Sequence, residues 1–236
     1  MEELKHIKAI LFDSGRVLNH PRTGHWFIPP NFFSYVDQEK FKLISQNKIE
    51  GALHKALQYM DNNPLIRNEA EEYQHFIHFY KIISIELASL ELNREQIEGL
   101  AHDTVFNDDK FKFYEDVFKV IPELHNNYKL GVVSDTWPSL DRVFRNVGLR
   151  RYFSTFVMSS ILGVVKPHEL MFQTALTELS IKPEEALFVD DNIRNLEGAR
   201  KLGIHTLGLL RDIESGTNSG HLCINNLRSL QQLLER

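Results

Sequence analysis

Asp13, Ser134, Lys166 and the pair Asp190-Asp191 each stand at the end of an apolar run or in a turn just beyond one. Ile7-Lys-Ala-Ile-Leu-Phe12 delivers a carboxylate to its end, and Gly15 two residues later lets the backbone approach a ligand closely. At the end of a buried strand Asp13 is available as a nucleophile or a metal ligand, Ser134 as a hydroxyl donor and Lys166 as a fixed cation, with the acid pair as a site of hard oxygens. That inventory suits phosphoryl transfer. Mg²⁺ prefers a few carboxylates plus substrate oxygen and water, a cation and a hydroxyl stabilise the oxygens of a group in transfer, and a carboxylate can form an aspartyl-phosphate. Each residue alone has an ordinary explanation. Ser134 would satisfy backbone at a strand end, Lys166 would be a solvated loop lysine, and Asp190-Asp191-Asn192 would cap a helix with dipole-compatible acids. Their succession on consecutive strand–helix units favours the chemical reading.

The elements that must position them alternate. Lys129 to Asp135 reads as a strand, Pro138 can open the next helix, and Thr155 to Met158 is a short strand. His168 to Leu179 is helical, with Met171, Phe172, Ala175, Leu176 and Leu179 on one face. Ala186 to Asp190 is another apolar strand ending in acid, Ile193 to Leu202 the following helix with Gly203 as its stop, and His205 to Leu210 a further strand. Asp212 to Gly220 reads as loop and Asn225 to Leu234 as a closing helix. This alternation predicts a parallel, doubly wound α/β sheet whose strand ends share one edge. Between Asp13 and Ser134 the pattern changes. Asn19 to Pro30, with three prolines and a glycine, reads as a long structured loop. Residues 37–106 read as an array of helices broken at Asn62-Asn-Pro64 and Leu92-Asn93, with Tyr73, Phe76, Ile77, Tyr80 and Leu87 on a helical period.

Four stretches together resemble the motifs of the haloacid dehalogenase-like hydrolase superfamily. They are Phe12-Asp-Ser-Gly-Arg-Val-Leu18, Val132-Val-Ser-Asp135, Ser159-Ser-Ile-Leu-Gly-Val-Val-Lys-Pro167 and Leu187-Phe-Val-Asp-Asp-Asn192. The resemblance implies a Rossmann-like core, residues 1–18 and 107–236, with an inserted helical cap at 19–106 that closes over the site and selects substrate. It implies Asp13, Ser134 and Lys166 as catalytic residues, and Mg²⁺ held by Asp13, the Gly15 carbonyl, Asp190 and Asp191. Ser134, Asp135, Lys166, Arg16, His20 and His25 are the candidate substrate-binding residues. Two departures stand out. Family phosphatases usually carry a general acid/base aspartate where this chain has Gly15, which leaves Arg16, His20 and His25 as neighbouring substitutes. Asp135 stands where the family often has asparagine.

The implied function is Mg²⁺-dependent hydrolysis of a small phosphorylated metabolite. Two alternatives remain open: a metal-independent dehalogenase-type hydrolase, and a catalytically weak module that binds a ligand or partner. A net charge of −5 excludes a global basic footprint for nucleic acid. The single cysteine excludes an internal disulfide framework. Met1-Glu-Glu-Leu-Lys5 has no signal-peptide pattern and no apolar run reaches the roughly 18 residues of a membrane span, so the expectation is a cytoplasmic protein with no membrane partner. The oligomeric state is not legible.

Overall fold

The computed structural model describes residues 6–211 and 220–234. The first five residues and 212–219, within the expected Asp212–Gly220 loop, lie outside the described residues. The described chain divides into two compact units. One takes up the chain through His20, from Phe113 to Thr136 and from Leu140 onward; the other takes up Pro21–Lys112 together with Trp137–Ser139.

The first unit is built on a six-stranded sheet of β1 (Ala9–Phe12), β4 (Lys129–Ser134), β5 (Thr155–Met158), β6 (Ala186–Asp190), β7 (His205–Leu209) and β8 (Cys223–Ile224). The strand order is β5-β4-β1-β6-β7-β8, with every pairing parallel. β1 lies between β4 and β6, with Phe12 level with Val132 on one side and Val189 on the other. All four of its residues are fully buried, as an uninterrupted apolar strand must be when helices cover both faces of a parallel sheet. The helices of this unit are α6 (Val117–His125), α7 (Ser139–Asn146), α8 (Ser159–Leu162), α9 (Glu169–Leu179), α10 (Ile193–Lys201) and α11 (Leu227–Leu234), although the first residue of α7 belongs to the second unit.

The apolar face expected for α9 is the face it buries: Met171, Phe172, Ala175, Leu176 and Leu179 pack with Leu11, Val133 and Phe188. Phe172 meets Phe188 edge-on at 5.1 Å. Full burial of side chains of this size contributes about 1.5–3 kcal/mol each, so this layer holds the strand ends firmly. His168 caps α9 by accepting from the Leu170 amide, and Gly203, at φ +85°, ends the turn after α10.

The second unit contains α1 (Phe32–Tyr35), α2 (Gln38–Lys42), α3 (Gln46–Asn62), α4 (Glu69–Glu86) and α5 (Arg94–Phe106). Phe76, Phe79, Tyr80, Leu100 and Val105 form its centre. Asn68 caps α4, and Asn93 with Gln96 makes a reciprocal capping box on α5, so the Leu92-Asn93 break is a helix start with its orphan amides satisfied. The helices begin at Phe32, earlier than the expected Asp37, because Asp37 itself caps α2 by accepting from the Glu39 and Lys40 amides.

A two-stranded sheet of β2 (Asn19–Pro21) and β3 (Phe111–Phe113) occupies the places where the chain passes between units. β2 corrects the expectation of loop from Asn19: three residues are too few to display alternation, and the proline that argues against a strand is tolerated because both strands of a two-stranded sheet are edge strands. No helix of the described residues is long and apolar enough to cross a membrane.

Candidate active site

Three adjacent strands, β4, β1 and β6, run parallel and end in Ser134, Phe12 and Asp190. Asp13 follows β1 directly, and its amide donates to the Val189 carbonyl at 2.9 Å, which holds Asp13 against the end of β6. Lys166 is 5% exposed. Its Nζ lies 2.7 Å from Asp13 Oδ1 and 2.8 Å from Asp190 Oδ2, while its backbone amide donates to Asp135 Oδ1 at 2.8 Å. One lysine is thereby fixed at both ends by the acids around it.

Asp190 is fully buried and committed. Its Oδ2 also accepts from Asn195 Nδ2 at 3.1 Å, and its Oδ1 accepts from the Asn192 amide at 2.7 Å. Asn192 caps α10 by accepting from the Arg194 amide. The helix start therefore uses Asn192, and Asp191 is spared that duty; its half-open carboxylate faces Arg16 Nη1 at 3.9 Å. Asp13, Asp190 and Asp191 each offer an oxygen, all within 4.8 Å of one another.

The turn after Asp13 is tied internally. Leu18 and Asn19 donate through their amides to the Ser14 carbonyl, and Asn19 Nδ2 donates to Ser14 Oγ at 2.6 Å. Arg16 takes the left-handed conformation in this turn, at φ 59°, and Gly15 is not among the glycines with positive φ. The turn is also anchored from the segment after β7, where Arg211 Nε donates to the Val17 carbonyl at 2.8 Å and Arg211 Nη1 pairs with both oxygens of Asp116 at 3.0 Å.

The electrostatics follow from crowding acids in a buried place. Burial pushes Asp191 up to about 7, with Asp13 and Asp190 adding to the rise and Arg16 and Lys166 opposing it. Burial pushes Asp135 up to about 6 against the pull of Lys166. Asp190 is raised by burial and by Asp13. Burial works to discharge Lys166, but Asp13, Asp190 and Asp135 outweigh it and hold the ammonium charged. Anionic charge thus exceeds cationic charge around Lys166, and the donors are hard oxygens. A divalent cation of the Mg²⁺ kind fits such a set.

The structure gathers Asp13, Asp135, Lys166, Asp190 and Asp191, with Arg16 at the edge. Ser134 ends the neighbouring strand, and Gly15 lies in the turn. His20 lies in β2 with its ring 5.0 Å from that of Tyr114. His25 belongs to the helical unit, where its Nδ1 accepts from the Phe27 amide at 3.2 Å and burial lowers its pKa. The sequence reading missed Asn195 and the Ser14–Asn19 pair. Asn195 could have been found from its place one turn beyond the cap Asn192, on the side of α10 that faces back to the strand end.

The model of the haloacid dehalogenase-like hydrolase family matches residues 45–209. The chain is 33% identical over 117 residues to the glyceraldehyde 3-phosphate phosphatase of Methanopyrus kandleri, a match covering 47% of this chain and 48% of that one; the chain spans about half the length of such relatives. The fold resembles that of a phosphatase of this superfamily from Thermococcus onnurineus, with a TM-score of 0.66 and 23% identity over 97% of this chain and 98% of the other. It resembles the L-2-haloacid dehalogenase of Xanthobacter autotrophicus almost equally, with a TM-score of 0.65 and 18% identity over the same shares. Overall shape therefore does not separate the two chemistries; the side chains must.

Proposed function

This chain belongs to the haloacid dehalogenase-like hydrolase family, and we propose that within it the chain is a Mg²⁺-dependent phosphatase of a small phosphorylated metabolite. The observation that carries the reading is Lys166 Nζ set between Asp13 and Asp190, beside the less committed Asp191. Hydrolysis at a carbon–halogen bond needs a nucleophile and no metal, and it gives the extra buried acids nothing to do. Phosphoryl transfer uses them. Asp13, the Gly15 carbonyl and Asp191 would hold Mg²⁺ directly, and Asp190 directly or through water. The bound ion would supply charge neutralisation for the phosphoryl oxygens.

Asp13 attacks phosphorus, the bond to the leaving oxygen breaks, and the phosphoryl group rests on Asp13 as an acyl phosphate. Lys166 keeps the attacking carboxylate oriented and offsets charge, and Ser134 donates a hydrogen bond to a phosphoryl oxygen. Attack of water on phosphorus then releases phosphate and restores Asp13. The helical insertion acts as the cap that selects substrate.

The metal assignment is tested by calorimetric titration with Mg²⁺. Asp191→Asn is expected to weaken binding by roughly tenfold or more, since loss of even an outer partner of a metal ligand costs 10–100-fold. Unchanged affinity would remove Asp191 from the ligand set.

Gly15 leaves this site without an acid two residues after the nucleophile, so turnover should favour phosphates whose leaving group needs no proton. Gly15→Asp is expected to recover part of the roughly 10²–10⁴-fold that general acid/base help provides, most visibly for alkyl phosphates. The left-handed residue of the turn is Arg16, so the substitution meets no positive-φ strain at Gly15. A folded, Mg²⁺-binding Gly15→Asp protein with no gain on alkyl phosphates would favour the ligand-binding alternative.

A further inference from the structure

Glu72, on α4, is fully buried and spends both carboxylate oxygens on one residue: Oε2 accepts from the Ser139 amide and Oε1 from the Ser139 hydroxyl, each at 2.7 Å. Lys110 Nζ donates to the same hydroxyl at 2.9 Å and to the Thr104 carbonyl at the end of α5. Burial raises the Glu72 pKa, and Lys110 and Ser139 work against it. Two residues earlier, Trp137 lies edge-on to Phe76 at 5.1 Å and to Phe27 at 6.0 Å. These contacts make Trp137–Ser139 part of the helical unit although the chain on either side belongs to the sheet unit.

A buried carboxylate is an expensive way to fill space, since taking a charge out of water costs several kcal/mol before pairing. Two charge-assisted bonds to one residue fix its orientation in a way an apolar side chain cannot. What is being oriented lies immediately downstream of the strand end. Thr136 donates through its amide to Ser159 Oγ at 2.9 Å, and Asp135 accepts from Lys166. Only Thr136 separates the Asp135 that holds Lys166 from the segment held by Glu72.

We propose that Glu72 is a positioning residue: by clamping Ser139 it sets residues 137–139, and through them the end of β4 that presents Ser134 and Asp135. This rests on the phosphoryl-transfer reading of the site. It also makes the helical unit a determinant of turnover as well as of substrate choice.

Trp26 and Trp137 are the only tryptophans, so Trp26→Phe, excited at the red edge where tyrosine does not absorb, leaves Trp137 as the emitter and serves as the parent. In that background Glu72→Gln, Glu72→Leu and Ser139→Ala are compared for kcat and KM on para-nitrophenyl phosphate, Mg²⁺ affinity, and the change in Trp137 emission on adding Mg²⁺ with beryllofluoride. Glu72→Leu is expected to lower kcat by about 10–100-fold, the range over which small misplacements act, with Mg²⁺ affinity within about twofold of the parent. Its Trp137 response should be lost, and adding Ser139→Ala should cost less than the same change costs the parent, as expected of partners in one interaction, the remainder being the Lys110 bond to the same hydroxyl. Glu72→Gln keeps one acceptor and should fall between; it carries the test if Glu72→Leu does not fold. A parent that turns over with Mg²⁺ while folded Glu72 variants keep its kcat and its Trp137 response overturns the positioning role and leaves the phosphatase reading standing. A folded parent without Mg²⁺-dependent turnover overturns that reading first, and the positioning role with it.

Discussion

Asp13→Asn is expected to abolish turnover while the fold survives. The amide nearly matches the carboxylate in shape but is neither an anion nor a competent nucleophile, and removal of a nucleophile lowers kcat by about 10⁴-fold or more. Stability should change little, because Lys166 keeps Asp190 at 2.8 Å and its backbone bond to Asp135. Beryllofluoride, which mimics a phosphoryl group on a carboxylate, should bind the parent protein and not the variant. Steady-state rates with para-nitrophenyl phosphate, alongside thermal melting, check both halves. Near-normal Mg²⁺-dependent turnover in a folded Asp13→Asn protein would remove Asp13 from the nucleophile's role.

Lys166→Met should show the second large effect, on rate and stability together. Methionine keeps an unbranched stem but removes the cation between Asp13 and Asp190, an ammonium that also lies over the Phe188 ring at 5.5 Å. Loss of a fixed donor at a site of developing charge costs about 10²–10³ in kcat. Breaking a buried pair also leaves charge uncompensated, at about 3–5 kcal/mol, and Asp190 is fully buried. The sign of the pH dependence follows from linkage. Without Lys166, the pKa of Asp190 in the folded state rises further above its unfolded value. Its contribution is fully present below the unfolded pKa and is lost as pH rises through the folded one. Denaturation in EDTA should therefore find the variant weakest relative to the parent at neutral pH, with the gap closing toward acid. A gap independent of pH would mean that Lys166 does not compensate Asp190.

The parallel sheet was legible because its strands are short apolar runs with sharp ends: Thr155–Met158 and Ala186–Asp190 form the elements that their residues suggest. The buried face of α9 was legible for the same reason, since spacing alone picks out Met171, Phe172 and Ala175. What stayed hidden depends on partners. β2 and β8, at three and two residues, exist through pairing and carry too little pattern of their own. Gly208 is explained only by β8, because a side chain there would meet Cys223 Sγ at 2.6 Å. A turn lysine reads identically whether solvated or buried between two acids, so the reach of Lys166 to Asp13 and Asp190 could be suspected only from order along the chain. Glu72 was harder still. It sits among the partly buried Glu69 and Glu71 in the first turn of α4, where acids favour the helix dipole, and only its spacing of four from Phe76 sets it on the buried face.

The most direct measurement is an acid quench of the protein during turnover of para-nitrophenyl phosphate in Mg²⁺, followed by mass spectrometry of its peptides. A phosphoryl group on Asp13, absent when EDTA replaces Mg²⁺ and absent in Asp13→Asn, is the expected result. Mg²⁺-dependent turnover with the phosphoryl group on another residue, or no turnover across a broad panel of phosphate esters, would contradict it.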